Sequence, residues 1–191
     1  LGNRAKLPKI NLRQEEVEDV KETVDSYGDI VESVVNEIID KEVSVLDDTI
    51  YDIQELLVNK DMIDVEDLTY YIAYLPTLIY YVGDRAESVG IKSDSSTVVR
   101  KQKFDDFYLL AKGKTVNDKT SETNKLIINE SVVESAYKRA YKKIQSRLDI
   151  ADMVLTSLKK VLQWKITELE TSARNSGGVD ISAKNNRTNR R

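Results

Sequence analysis

The sequence predicts an all-α protein: long amphipathic helices in an elongated subunit with a long C-terminal helix. Three observations carry this expectation. Only 7 Gly and 2 Pro punctuate 191 residues, so little interrupts a helix. Apolar residues recur at spacings of three and four over long stretches. Charged residues make up 32% of the chain and large apolar runs are few, which favours extended packing over a spherical core.

The elements follow in chain order. Residues 1–13 contain the helix breaker Pro8 and are expected to be irregular. From 14 to about 41, Val17, Val20, Val24, Tyr27, Val31, Val34 and Ile38 form one helical stripe, with Gly28 a weak point. A second series, Val43, Leu46, Ile50, Ile53 and Leu57, either continues that helix or follows a break near Asp40. Asp61 or Asp64 is positioned to cap a helix over 65–88, with Glu66 and Asp67 in its first turn. Pro76 is expected to kink this helix and Gly90 to cap its end. Residues 93–96 read as a loop and 98–111 as another helix. The polar stretch 112–129 reads as a connector, extended over 125–128. Asn129 or Ser131 then opens the longest helix. Its stripe runs from Val133 through Ala140, Ile144, Ala151, Leu158 and Ile166 to Ala173, close to a coiled-coil seam. Ser176-Gly177-Gly178 is expected to end it, and the basic tail beyond is expected to be disordered unless bound.

The length fits one domain or a domain with an appendage. The chain has no Cys, which excludes disulfides, thiolate metal sites and Cys nucleophiles. It has no His, which removes the usual general base, the commonest metal ligand and every His-containing triad. No stretch reaches the roughly 18 apolar residues that span a bilayer. The most apolar, 70–82, is too short and contains Pro76, so no membrane partner is expected. No secretory signal is visible. Leu1 is too bulky to follow ordinary initiator-Met removal, so shortening of a longer chain or proteolytic maturation is expected.

Charge is sorted along the chain. Residues 14–69 carry 19 acidic and 3 basic side chains, a net of −16, whereas 70–191 carry 14 and 22, a net of +8. The first 13 residues add +4, and the whole chain is −4. Such sorting gives either a polyanion-binding half beside a half that repels or competes for polyanions, or helix faces that pair with each other or across subunits. By charge the chain divides into a basic arm at 1–13, an acidic helical module at 14–62, a helical core with basic stripes at 63–174 and a flexible basic tail at 175–191.

Three basic groups stand out. Arg100, Lys101 and Lys103 precede Phe104, Phe107 and Tyr108. Lys138, Arg139, Lys142, Lys143 and Arg147 fall one helical turn apart, with Tyr137 and Tyr141 beside them. Lys159, Lys160 and Lys165 surround Trp164. Cations spaced along a ridge meet phosphates and aromatic faces stack on bases, so these are suitable materials for single-stranded nucleic acid. The alternative is that the aromatics face a core and the cations solvate a helix. Acidic rows at Glu15, Glu18, Asp19 and Glu22, and at Asp48, Asp52 and Glu55, have the spacing that all-helical nucleotide pyrophosphohydrolases use for Mg²⁺. No phosphate clamp is interleaved with them, and no cofactor or metal is expected. Gly113-Lys114-Thr115 matches the end of a phosphate loop, but Tyr108 stands where its first glycine is needed.

The segment Lys101-Gln102-Lys103-Phe104-Asp105-Asp106-Phe107-Tyr108, with the connector and long helix after it, resembles the UvsY-type recombination mediator proteins of T4-like phages. The resemblance covers about residues 64–173. It implies a small helical subunit in a closed homo-oligomeric ring that binds single-stranded DNA. Such a protein loads a RecA-like recombinase while displacing the single-strand-binding protein. It places Lys101 and Lys103 on DNA phosphates, and it implies no enzymatic activity and a site of action in the cytoplasm of the infected bacterium. The sequence departs from the family in two places. The acidic region 14–62 has no counterpart, and the glycine turn expected directly after the motif is replaced by Leu109-Leu110-Ala111-Lys112-Gly113. The rival expectation is a helical, oligomeric structural or assembly protein of a phage particle, found in the virion.

Overall fold

The computed structural model describes residues 14–58 and 63–185, and the side chains of 18–58 and 63–174. These residues form four helices: α1 Gln14–Val58, α2 Val65–Leu110, α3 Val116–Leu126 and α4 Ile128–Asn185. The described residues contain no strand, and the fold is all-α. The arm at 1–13, Asp61 and residues 186–191 lie outside the described residues.

The helices contribute to two compact units. One holds the described residues through Ile38 with Lys92–Ala140; the other holds Ile39–Ile91 and α4 from Tyr141 onward. The divisions drawn by charge, after 62 and after 174, do not coincide with this packing division.

The unit of 39–91 and 141 onward has an aliphatic core. Ile39, Val43, Leu46 and Ile53 of α1 are buried, as are Leu68, Leu75, Leu78, Val82, Ala86 and Val89 of α2 and Ile144, Ala151 and Leu158 of α4. Steps of three, four and seven residues keep each set on one face of its helix. The unit containing Lys92–Ala140 buries Val35 and Ile127 together with smaller or more polar groups: Ser93, Ala111, Thr123, Glu134, Ala136 and Ala140. The buried hydroxyls of Thr123 and Thr49 are satisfied within their own helices. Thr123 Oγ1 donates to the Lys119 carbonyl at 2.8 Å, and Thr49 Oγ1 donates to Val45 at 2.8 Å.

Several expected boundaries shift. No break occurs near Asp40, and α1 is one helix. Of the two expected caps, Asp64 fills the role: the Glu66 N–H donates to its Oδ1 at 3.1 Å. The helix after it does not stop at Gly90 or loop at 93–96 but continues through Pro76 to Leu110. No described glycine has a positive φ, the conformation a glycine cap adopts. Gly90 instead leaves room for the Tyr141 ring, because a Cβ there would sit 3.1 Å from its Cε2. Residues 93–96 are helical throughout, and Ser96 Oγ donates back to the Ser93 carbonyl at 2.7 Å.

The expected connector contains α3. Thr115 caps it, and a capping box closes with Asp118: each backbone N–H of the pair donates to the other's side chain. Residues 125–128 are therefore not extended, and α4 begins at Ile128, ahead of both expected starts. It passes through Ser176-Gly177-Gly178 and ends at Asn185, so the tail expected from 175 is helical to that point. No helix among the described residues is long and apolar enough to cross a membrane.

Candidate nucleic-acid interface

The motif at 101–108 occupies the last turns of α2. Lys101 and Lys103 are exposed; Phe104, Phe107 and Tyr108 are half-buried. Phe104 and Tyr108, four residues apart, stack with centroids 5.9 Å apart and planes 18° apart. The Lys103 ammonium lies 5.9 Å from the centroid of Phe107. Asp105 and Asp106, one turn on, are also exposed and temper the positive field.

Arg100 belongs to a different environment. It forms an ion pair with Glu134 of α4, which is only 8% exposed. The same carboxylate accepts from Lys138 Nζ at 2.6 Å and from Thr97 Oγ1 at 2.8 Å. The Lys138 bond holds the Glu134 carboxyl down, against the effect of burial, and Thr97 and Arg100 add to it; its pKa falls to about 2. Glu134 is thus a buried anion of α4 that is joined to α2 through Arg100 and Thr97, with Lys138 of its own helix beside it.

The expected row on α4 is divided in the same way. Lys138 serves Glu134, and Arg147 forms an ion pair with Asp47 of α1. Burial pushes the Asp47 carboxyl above its usual value, while Arg147 and Lys143 pull it down. Arg139 and Lys142 are exposed. Lys165 is drawn to Glu168, 3.6 Å away, and lies 5.2 Å from the Trp164 ring centroid, while Lys159 and Lys160 are exposed. Among the described residues no three acidic side chains come together as a cation site would need.

Sequence reasoning missed the turn after the motif. The Lys112 N–H donates to Glu122 Oε2 at 3.1 Å, which ties the turn to α3. Gly113 lies against the first turn of α3 so closely that a Cβ would stand 2.6 Å from the Lys119 backbone nitrogen. Lys112 and Lys114 are exposed on this fixed backbone, and Lys119 reaches to within 5.9 Å of the Tyr108 ring centroid. The turn with the first turns of α3 thus adds three cations after the motif. Its signal was present as Thr115-x-x-Asp118, a capping pattern inside the supposed connector.

Two further features do not extend the surface. An open groove beside Lys92, Val99 and Tyr137 also contains Glu130, whose Oε2 is buried with no hydrogen-bond partner, and a carboxylate there repels phosphate. Tyr70, Tyr80 and Tyr81 are exposed on α2, and carboxylates act on the residue beside Tyr70. Burial, then Asp52, Tyr70 and Asp67, raise the pKa of the adjacent Tyr71 hydroxyl.

No family model, curated protein or solved structure matches this chain.

Proposed function

We propose that the chain is a single-stranded-DNA-binding recombination mediator, a non-enzymatic subunit of a homo-oligomeric ring that loads a RecA-like recombinase in the cytoplasm of a phage-infected bacterium. The recombinase, the single-strand-binding protein it displaces and the ring come from the resemblance of 101–108 and the elements around it. The observation that carries the DNA-binding part is the exposed state of Lys101 beside the half-buried aromatic cluster of Phe104, Phe107 and Tyr108, continued by Lys103, Lys112 and Lys114. These cations would meet phosphates, and Phe104, Phe107 and Tyr108 would receive bases. Contacts of this kind read no sequence, as a mediator acting on any strand requires. Arg100, Lys138 and Arg147 act in this reading as structural ion pairs, and Arg139 and Lys142 as additional phosphate contacts.

The test is fluorescence anisotropy of a labelled oligo-dT strand at low and moderate salt. Lys101→Glu with Lys103→Glu abolishes binding at moderate salt. If weak binding persists at low salt, its log–log salt slope is smaller by about 0.7 for each phosphate no longer neutralised. Unchanged affinity and slope reject the assignment.

A particle-assembly role is the second reading, favoured by the apolar stripes left exposed on α1 and α4. Mass spectrometry of purified particles separates the two: an assembly protein is abundant there, and a mediator is absent.

A further inference from the structure

Residues 18–30 of α1 are exposed without exception. Their apolar stripe includes Val20 at 63% and Val24 at 60% exposure. The same face is covered further along the helix: Val24 and Val35 are eleven residues apart, about three turns, and Val35 is buried. Among the described residues nothing packs on the earlier part.

This segment is poorly suited to stand alone. Isolated helices of this length are marginal in water. Glu18 and Glu22, and Asp25 and Asp29, place like charges four residues apart, which weakens a helix further. A stabilising cover must supply both an apolar face and positive charge. Two such arms cannot cover each other, because each is strongly acidic.

The far part of α4 has the opposite properties. Leu155 and Leu162 are half-buried, and Leu169, next in the same seven-residue series, is 59% exposed. Trp164 beside this series is 58% exposed. Lys159, Lys160 and Arg174 flank it, and residues 159–191 carry 8 basic and 3 acidic side chains against 1 and 8 over 14–34. The uncovered lengths also correspond, each roughly 20–25 Å at 1.5 Å per residue.

We infer that the acidic α1 stripe around Val24 in one protomer is covered by the basic α4 stripe around Trp164 and Leu169 of a second copy. The contact is heterologous, one surface meeting a different one, so every protomer offers a free surface of each kind. Such a contact propagates and closes a ring where the rotation allows. Opposite charge selects this pairing over α1 with α1. The inference gives a physical form to the self-association in the mediator reading and draws on none of its DNA contacts.

The experiment is light scattering coupled to size exclusion on the full chain, with no DNA, using wild type, Val24→Asp and Leu169→Asp. Both substitutions are at exposed positions, and circular dichroism checks that helix content is kept. Wild type runs as a species larger than a dimer, and each variant alone runs as a monomer. An equimolar mixture of the two variants forms a dimer and nothing larger, because each supplies the one surface that the other lacks. Emission from Trp164, the only tryptophan, shifts to the blue in that mixture and in wild type, but not in either variant alone. A monomeric wild type, variants that assemble like wild type, or a mixture that stays monomeric each overturns the inference. Oligo-dT anisotropy on the same variants is read separately, so failure to assemble and failure to bind DNA are distinguished.

Discussion

The aliphatic core of 39–91 and 141 onward and the mixed core of 92–140 are built from parts of the same long helices, yet they hold those parts by different physics. In the first, Ile39, Leu46, Ile53, Leu75, Ile144 and Leu158 are all but excluded from water. Burial of a side chain of this size stabilises by roughly 1.5–3 kcal/mol each, with no directional demand. In the second, the buried positions include the small Ala136 and Ala140, and one carboxylate, Glu134, organises three donors. Such a site adds little net energy, since desolvation offsets the attraction. It penalises any arrangement of α2 and α4 that strands the carboxylate. Bulk stability therefore resides in one core, and the fixed positions of the proposed DNA-facing side chains depend on the other.

Substitutions in each core sharpen that contrast. The largest effect is expected for Leu75→Ala, which removes a fully buried side chain and leaves a cavity; it costs about 2–5 kcal/mol in urea unfolding. Glu134→Gln follows at about 1–3 kcal/mol, because Arg100 and Lys138 lose their anion. This effect is pH-dependent. Glu134 has a depressed pKa, so its contribution is complete above the usual value of 4.5 and fades as pH falls toward about 2. Wild type and Glu134→Gln should therefore differ in urea midpoint at pH 6 and converge near pH 2. A constant difference across that range would mean that the carboxylate charge is not what α2 and α4 share.

Smaller and more local is Gly113→Ala. The new methyl meets the α3 backbone, while a less flexible unfolded chain offsets part of the strain, leaving about 1–2 kcal/mol. Hydrogen exchange should speed up across α3 and leave Ile39–Ile53 of α1 protected. The smallest effect is expected for Asp47→Asn, below about 1 kcal/mol at neutral pH. Burial raises the pKa of this carboxyl despite Arg147, so its charge contributes little to folding. A large destabilisation by Asp47→Asn would reverse the roles assigned to the two carboxylates.

The all-α class was legible because apolar spacing and scarce Gly and Pro act locally, over a few turns. The interruptions were misplaced where a nonlocal contact decided the outcome. Gly90 has the residue type of a cap, and only the Tyr141 ring, 51 positions away, explains it as a space-maker. Helix α3 could have been found, since its capping box is written in four consecutive residues. The basic stripes were visible, but their division into ion-paired and solvent-facing cations was not. Lys138 four residues after Glu134 is a local pair that could be anticipated. Arg147 with Asp47 spans 100 residues and could not.

The turn at 111–115 has a consequence for proteolysis. Lys112 and Lys114 present exposed side chains that trypsin recognises, but cleavage also needs a stretch of backbone that can be drawn out into the protease cleft. Here the Lys112 N–H is held by Glu122, Gly113 is seated on α3 and Thr115 is closed by Asp118. Limited digestion should leave these two lysines uncut for as long as α3 stays folded. The appearance of fragments ending at 112 or 114 would time the local opening of that helix.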